Sequence, residues 1–147
     1  MEIAVLALGC FWGPEIKFSK IEGVIKTEVG YCGGDSSKTT YKEVCSGKTN
    51  HAEVVKIDFD EKIVTYEKIL KIFFQIHDPT TLNSQGPDFG TQYRSEIFCL
   101  NDNQKKIAEK VLNDTNERLS GKVVTKISLL KNYCPAEEYH QKYLEKR

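Results

Sequence analysis

The apolar and polar positions along the chain set out a clear order of elements. Residues 2 to 8, EIAVLAL, form a short apolar run, which predicts a central strand. Gly13 as N-cap, Pro14 at the first helical position and Glu15 in the first turn predict a helix reaching about Lys20. Val24 to Val29 alternates with period two and reads as a second strand. It runs into GYCGGDSSKTT, a Gly- and Ser-rich loop. Thr40 with Glu43 fits a capping box, so a short helix is expected from Tyr41 to Ser46, stopped by Gly47. Ala52 to Phe59 is the third strand, and in the helix that follows Tyr66, Ile69, Leu70 and Phe73 share one face. Asp78 to Ser95 holds two prolines and two glycines, too many for a regular element, and a loop of that length is usually functional. SEIFCL is a further strand, and the next helix turns Ile107, Ala108, Val111 and Leu112 inward before Gly121 closes it. KVVTKISLL predicts another strand, and Pro135 opens a last helix through AEEYHQKYLEKR.

No repeat or linker interrupts this order, so residues 1–147 are expected to form one domain. The succession β-α-β, loop, β-α-β predicts an α+β fold around a ferredoxin-like split β-α-β core, with long active-site loops.

Charge changes the picture little. Lys plus Arg number 21 and Asp plus Glu 21, so no net field draws nucleic acid or anionic lipid. No apolar run approaches a membrane span, and the opening residues lack a basic n-region, so a cytoplasmic protein is expected.

The five cysteines, at 10, 32, 45, 99 and 134, change it more. An odd number without a signal peptide argues against a disulfide scaffold, and no C-x-x-C pair suggests a zinc ribbon. Cys10 sits between the first strand and the first helix, where free N–H groups and the helix dipole favour a thiolate. Phe11 and Trp12 beside it offer a flat, water-excluding wall to a small apolar group. The competing reading makes Cys10 a small buried hydrophobe. Cys99 reads as core, Cys45 lies in the short helix, and Cys32 lies in a loop mobile enough to reach a partner. Cys134 precedes a helix start, as a second activated thiol or a bystander.

Glu53 opens a strand directly after NHA, an odd place for a carboxylate unless it points into a site. Buried there it would be a proton donor near neutral pH; otherwise it is an edge charge facing solvent. Tyr31 and Tyr93, both in glycine-containing loops, read as hydrogen-bond donors. His51 and His140 are candidate bases or satisfied structural residues.

The stretches GCFWGPE, GYCGG, YKEVCSGKTNHAEVV, HDPTTLNSQGPDFGTQYRSEIF and PAEEYHQKYL, in this order, resemble the methionine sulfoxide reductase A family. The resemblance spans almost the whole chain. It implies that Cys10 attacks the sulfur of a methionine S-sulfoxide, free or in proteins, while Phe11 and Trp12 receive the methyl group. Glu53 then binds and protonates the sulfoxide oxygen, Tyr31 and Tyr93 share that oxygen, Asp88 lines the pocket, and His140 supports the site from behind. The product on the enzyme is a Cys10 sulfenic acid, which a second thiol must reduce. Many members carry a Gly-rich tail with resolving cysteines, whereas the sequence here stops nine residues after Glu138. Either Cys32 or Cys134 resolves instead, or an external thiol does. The external route is favoured, through glutaredoxin with glutathione or through a thioredoxin. Neither a metal nor another cofactor is expected, and the protein is expected to be a monomer.

Two other classes use some of the same residues. A cysteine hydrolase would need His51 or His140 beside Cys10 and leaves the phenol-rich loops without purpose. A metal-binding module would need ligands from Cys10, Cys32, Cys45 and His51.

Overall fold

The computed structural model describes residues 2–9, 12–34, 39–45, 51–85, 88–137 and 141. A six-stranded sheet runs through it in the order β7-β6-β1-β3-β2-β8. The strands are β1 (Glu2–Leu8), β2 (Val24–Cys32), β3 (Ala52–Phe59), β6 (Ser95–Cys99), β7 (Lys126–Leu129) and β8 (Cys134–Pro135). Two-residue strands β4 (Ser84–Gln85) and β5 (Asp88–Phe89) form a separate small ladder. The helices are α1 (Trp12–Ser19), α2 (Tyr41–Cys45), α3 (Tyr66–Gln75) and α4 (Asp102–Arg118), with a 3₁₀ turn at Thr91–Tyr93.

The apolar run of residues 2 to 8 earns its central place, since β1 pairs antiparallel with both β3 and β6. β2 pairs antiparallel with β3, so β1-α1-β2 is a split unit with β3 inserted between its strands. The β3-α3-β6 connection repeats the device around β1. This is the expected ferredoxin-like core, extended by β7, which lies parallel to β6, and by β8 along β2.

Alternation divides the core between the two faces of the sheet. Leu6, Val29, Val55, Ile57 and Ile97 meet Phe18 of α1, Phe73 of α3 and Val111 of α4 on the helical side. Val5, Ala7, Cys32, Val54 and Phe98 pack with Tyr133 on the other. The caps follow the residue types. Thr65 accepts from Lys68 N at the start of α3, and Asn101 from Gln104 N at the start of α4. Glu43 N donates to Thr40 Oγ1 at 3.2 Å, as the capping box requires. Gly121, at φ 77°, returns its N–H to Asn116 O and ends α4.

Four expectations are corrected. α1 begins at Trp12, so Gly13 and Pro14 lie inside its first turn; proline fits there because N–H groups of that turn lack intrahelical acceptors anyway. Tyr31 and Cys32 are not in a loop but close β2. The strand expected at 122–130 shrinks to Lys126–Leu129. Pro135 pairs with Gly30 in β8 instead of opening a helix, an outcome open to proline because β8 is an edge strand. The expected end of α2 at Ser46 and most of the last helix lie outside the described residues.

Beyond β7 the chain straps itself to β2 and the turn after it. Gly33 N donates to Lys131 O at 2.7 Å, and Asn132 Nδ2 to Gly34 O at 2.8 Å. Ala136 N donates to Val29 O, while the Gln141 amide pairs with Val29 N and O, each at 2.9 Å. No helix among the described residues is long and apolar enough to cross a membrane.

Candidate active site

Glu53 is the second residue of β3, an interior strand of the sheet, and only 1% of it is exposed. The reading of an edge carboxylate facing solvent is therefore wrong. Two-residue alternation puts it on the face of Val55, Ile57 and Phe59, the side covered by helices. Water is removed from this carboxyl, and desolvation favours the neutral acid.

Tyr31 lies directly opposite Glu53 on β2 and directly opposite Cys134 on β8. Opposed residues in antiparallel strands point to the same face, so Glu53, Tyr31 and Cys134 form one row across the sheet. Tyr31 is fully buried, and its hydroxyl donates to Glu137 Oε1 at 2.8 Å. A phenol has one proton, so a donor role of Tyr31 toward a substrate requires it to leave that bond.

Glu137 was not read from the sequence as a site residue. Its second oxygen, Oε2, accepts from Tyr41 N at 3.0 Å, at the first residue of α2. The acidic run AEEY concealed it, because charges after a proline read as the solvated start of a helix. Tyr41, read only as the opening of α2, is half-buried and packs against the helical-side core.

Trp12, the first residue of α1, is half-buried against the same core, and α1 packs on β2 and β3. Glu15, one turn along, is buried and accepts from Thr27 Oγ1 of β2 at 3.2 Å. Tyr93 ends the 3₁₀ turn, which packs against β3, the strand of Glu53. The loop before it is well braced. The Gln85 amide bonds the backbone N and O of Asp78, and Thr81 Oγ1 donates to Ser84 O at 2.5 Å. His77 Nε2 meets Ser95 Oγ at 2.8 Å, which in turn meets Thr125 Oγ1 at 2.7 Å. Burial pushes the His77 imidazole down to about 4, against a weaker opposing pull from Phe73 O.

Gly9, between β1 and the nucleophile position, has φ 99°, and a Cβ there would come within 2.8 Å of Gln85 Cβ and Cγ. The braced loop and the turn before Cys10 thus touch. Cys10, Phe11 and His140 lie outside the described residues, as does the side chain of Asp88, whose backbone forms β5.

The two cysteines considered as resolving thiols separate cleanly. Cys32 is wholly buried on the sheet face opposite Glu53, its Sγ donates to Lys131 O at 3.2 Å, and burial pushes the thiol up to about 11. That is a packed thiol rather than a mobile one. Cys134 is half-buried on the Glu53 face, with Sγ 3.7 Å from Thr39 O. His51 is buried just ahead of β3. Among the described residues, no group of three or more His, Cys, Asp or Glu is placed to hold a metal ion.

The family model for peptide methionine sulfoxide reductase matches residues 2–147. A curated relative from Pelagibacter ubique, peptide methionine sulfoxide reductase MsrA, is 80% identical over 147 residues, covering 100% of both chains. The reduced form of Mxr1 from Saccharomyces cerevisiae superposes with a TM-score of 0.95 at 42% identity, over 99% of this chain and 85% of that one. Mxr1 in complex with Trx2 is also similar, with a TM-score of 0.69 at 26% identity, over 97% and 84%. The motifs around Cys10, Glu53 and Tyr93, the split β-α-β core and these matches agree, and the chain belongs to the peptide methionine sulfoxide reductase family.

Proposed function

We propose that this chain reduces methionine S-sulfoxide, free or in proteins, with Cys10 as nucleophile and Glu53 as acid, and so repairs oxidised methionine. The Cys10 thiolate attacks the sulfoxide sulfur while Glu53 gives its proton to the oxygen, which is a poor leaving group until protonated. The sulfur–oxygen bond then breaks, and the released hydroxide adds to the Cys10 sulfur as the Cys10–substrate sulfur–sulfur bond breaks. Methionine departs with that electron pair, and Cys10 is left as a sulfenic acid. An external thiol attacks that sulfur, water leaves, and a mixed disulfide forms. A second thiol releases Cys10 and completes a disulfide of the reductant.

The burial of Glu53 on an interior strand carries this reading, because a carboxyl shielded from water is the kind of group that can serve as a proton donor. Trp12 with Phe11 forms the apolar wall for the methyl group, and Tyr93 and Asp88 come to the pocket on the braced loop. His140 supports the site from behind. Tyr31, whose proton goes to Glu137, acts by shaping the site more than by donating to the oxygen. A thioredoxin is the favoured reductant, supported by the similarity to Mxr1 held with Trx2, and glutaredoxin with glutathione is the other source of thiol. Of the internal thiols, Cys134 is better placed to resolve than Cys32, which the sheet separates from Glu53. The protein acts as a single domain, as a cytoplasmic monomer, with no resident cofactor.

The test is single-turnover reduction of the separate S and R epimers by pre-reduced protein, with thiols counted afterwards. Methionine is expected from the S epimer only, and Cys10→Ser is expected to form none. Activity surviving that substitution would sink the assignment. Glu53→Gln should keep the fold and slow the step by about 10² to 10⁴-fold. Loss of one thiol per turnover supports the external route; loss of two points to an internal disulfide.

A further inference from the structure

Glu53 must begin each turnover protonated, and the row of residues beside it contains a second carboxylate in close connection. Tyr31 faces Glu53 across the β2–β3 ladder, and its buried hydroxyl ends on Glu137. The same carboxylate takes the first N–H of α2. Glu137 therefore joins the row of the acid through the Tyr31 phenol and accepts two hydrogen bonds, one on each oxygen, an arrangement that suits a carboxylate.

We propose that Glu137 is a positioning residue of the reduction, which fixes Tyr31 and the start of α2 around Glu53 and keeps Glu53 in its acid form. The inference rests on the reading of Glu53 as the acid. Two physical effects act in the same direction. A negative charge joined to the row, acting on a carboxyl that is itself buried, disfavours a second negative charge on Glu53. Taking the Tyr31 proton also turns the phenol into an acceptor, which cannot donate to and stabilise a Glu53 carboxylate.

The other ionisable groups around this row are few among the described residues. Glu15 reaches in from α1 and is bonded to Thr27. His51 precedes β3, Cys134 lies on β8, Tyr41 opens α2 and Tyr93 ends the 3₁₀ turn. Of these, only Tyr41 is bonded to Glu137, through its backbone N–H, and the Asp and Gln variants both keep an acceptor for it, so the comparison between them isolates the charge.

The experiment is the pH profile of single-turnover reduction of N-acetylmethionine S-sulfoxide by pre-reduced protein. Wild type is compared with Glu137→Gln and Glu137→Asp, and thermal melting is followed alongside. The ionisation of Cys10 is measured separately from its alkylation rate, so that the alkaline limb reports Glu53. Glu137→Gln should lower the midpoint of that limb by about one pH unit. Glu137→Asp keeps the charge, so its midpoint should stay within a few tenths of wild type even if its rate falls. A Gln variant slowed equally at every pH, with the midpoint unmoved, would show that Glu137 only holds the fold and would overturn the proposal. So would an Asp variant whose midpoint falls as far as that of Gln. If the Gln variant melts below assay temperature, Glu137→Met replaces it with the same expectations, since it leaves no amide to satisfy. Wild type without S-selective turnover would instead refute the reductase assignment itself, so the two failures are told apart.

Discussion

Tyr31 shows how one residue changes meaning between chain and fold. Its neighbours Gly30 and Gly33 suggest a loop, yet Gly30 lies within β2 for a packing reason. A Cβ there would stand 2.7 Å from Cys134 O, so the glycine lets β8 lie against the strand. Tyr31→Phe removes one part-buried hydrogen bond to a carboxylate and should cost about 1.5 kcal/mol, read by urea unfolding at pH 7. Its single-turnover rate should fall much less than that of Glu53→Gln, since its proton is already committed. An equal fall would restore Tyr31 as a direct donor. For Cys32, a thiol pushed up to about 11 and fully buried should alkylate far more slowly than an unfolded cysteine at pH 8. Mass spectrometry of native protein after brief iodoacetamide treatment checks this, and fast labelling would mean that β2 opens.

At the scale of elements, the legible parts were those whose local chemistry and tertiary setting agree. β3 has the alternation of its sequence, and α3 and α4 bury the predicted stripes between polar caps. Glu53 was half legible: a carboxylate at the head of an apolar strand is a local anomaly, but its burial follows from β3 lying inside the sheet, which depends on pairing. What stayed hidden depends on distant pairing. β8 has two residues and exists only because β2 offers an edge, so no period in the sequence marks it. Glu137 joins the row of Glu53 and Tyr31 only through partners 106 and 96 residues away. The turn between β1 and α1 yields a prediction at this scale. Gly9→Ala must accept φ near 99° and push against Gln85, at a cost of about 1–2 kcal/mol. It should also slow single turnover more than tenfold by displacing Cys10. A variant with lowered stability and an unchanged rate would mean that Gln85 yields without moving the nucleophile.

For the whole molecule, the His77–Ser95–Thr125 chain links α3, the start of β6 and the approach to β7. Its imidazole sits near 4 in the folded state against an ordinary value near 6.5. The unfolded chain therefore takes up a proton before the native protein does, and stability falls as the pH drops from about 6.5 to about 4. This single group accounts for about 3 kcal/mol across that window, with no further loss below it. Urea midpoints at pH 7 and pH 4.5 for wild type and His77→Gln test the sign, and the variant should show the smaller drop. The order of strands has a separate consequence for synthesis. The ribosome delivers β1 first, but that strand is flanked by β3 and β6, and the row of Glu53 and Tyr31 is closed by residues 134 to 137. A nascent chain thus presents its thiol to the cell long before it owns an acid to go with it. On the proposed role of Cys10, its protection during synthesis cannot come from a fold whose acid row closes only when the strap arrives.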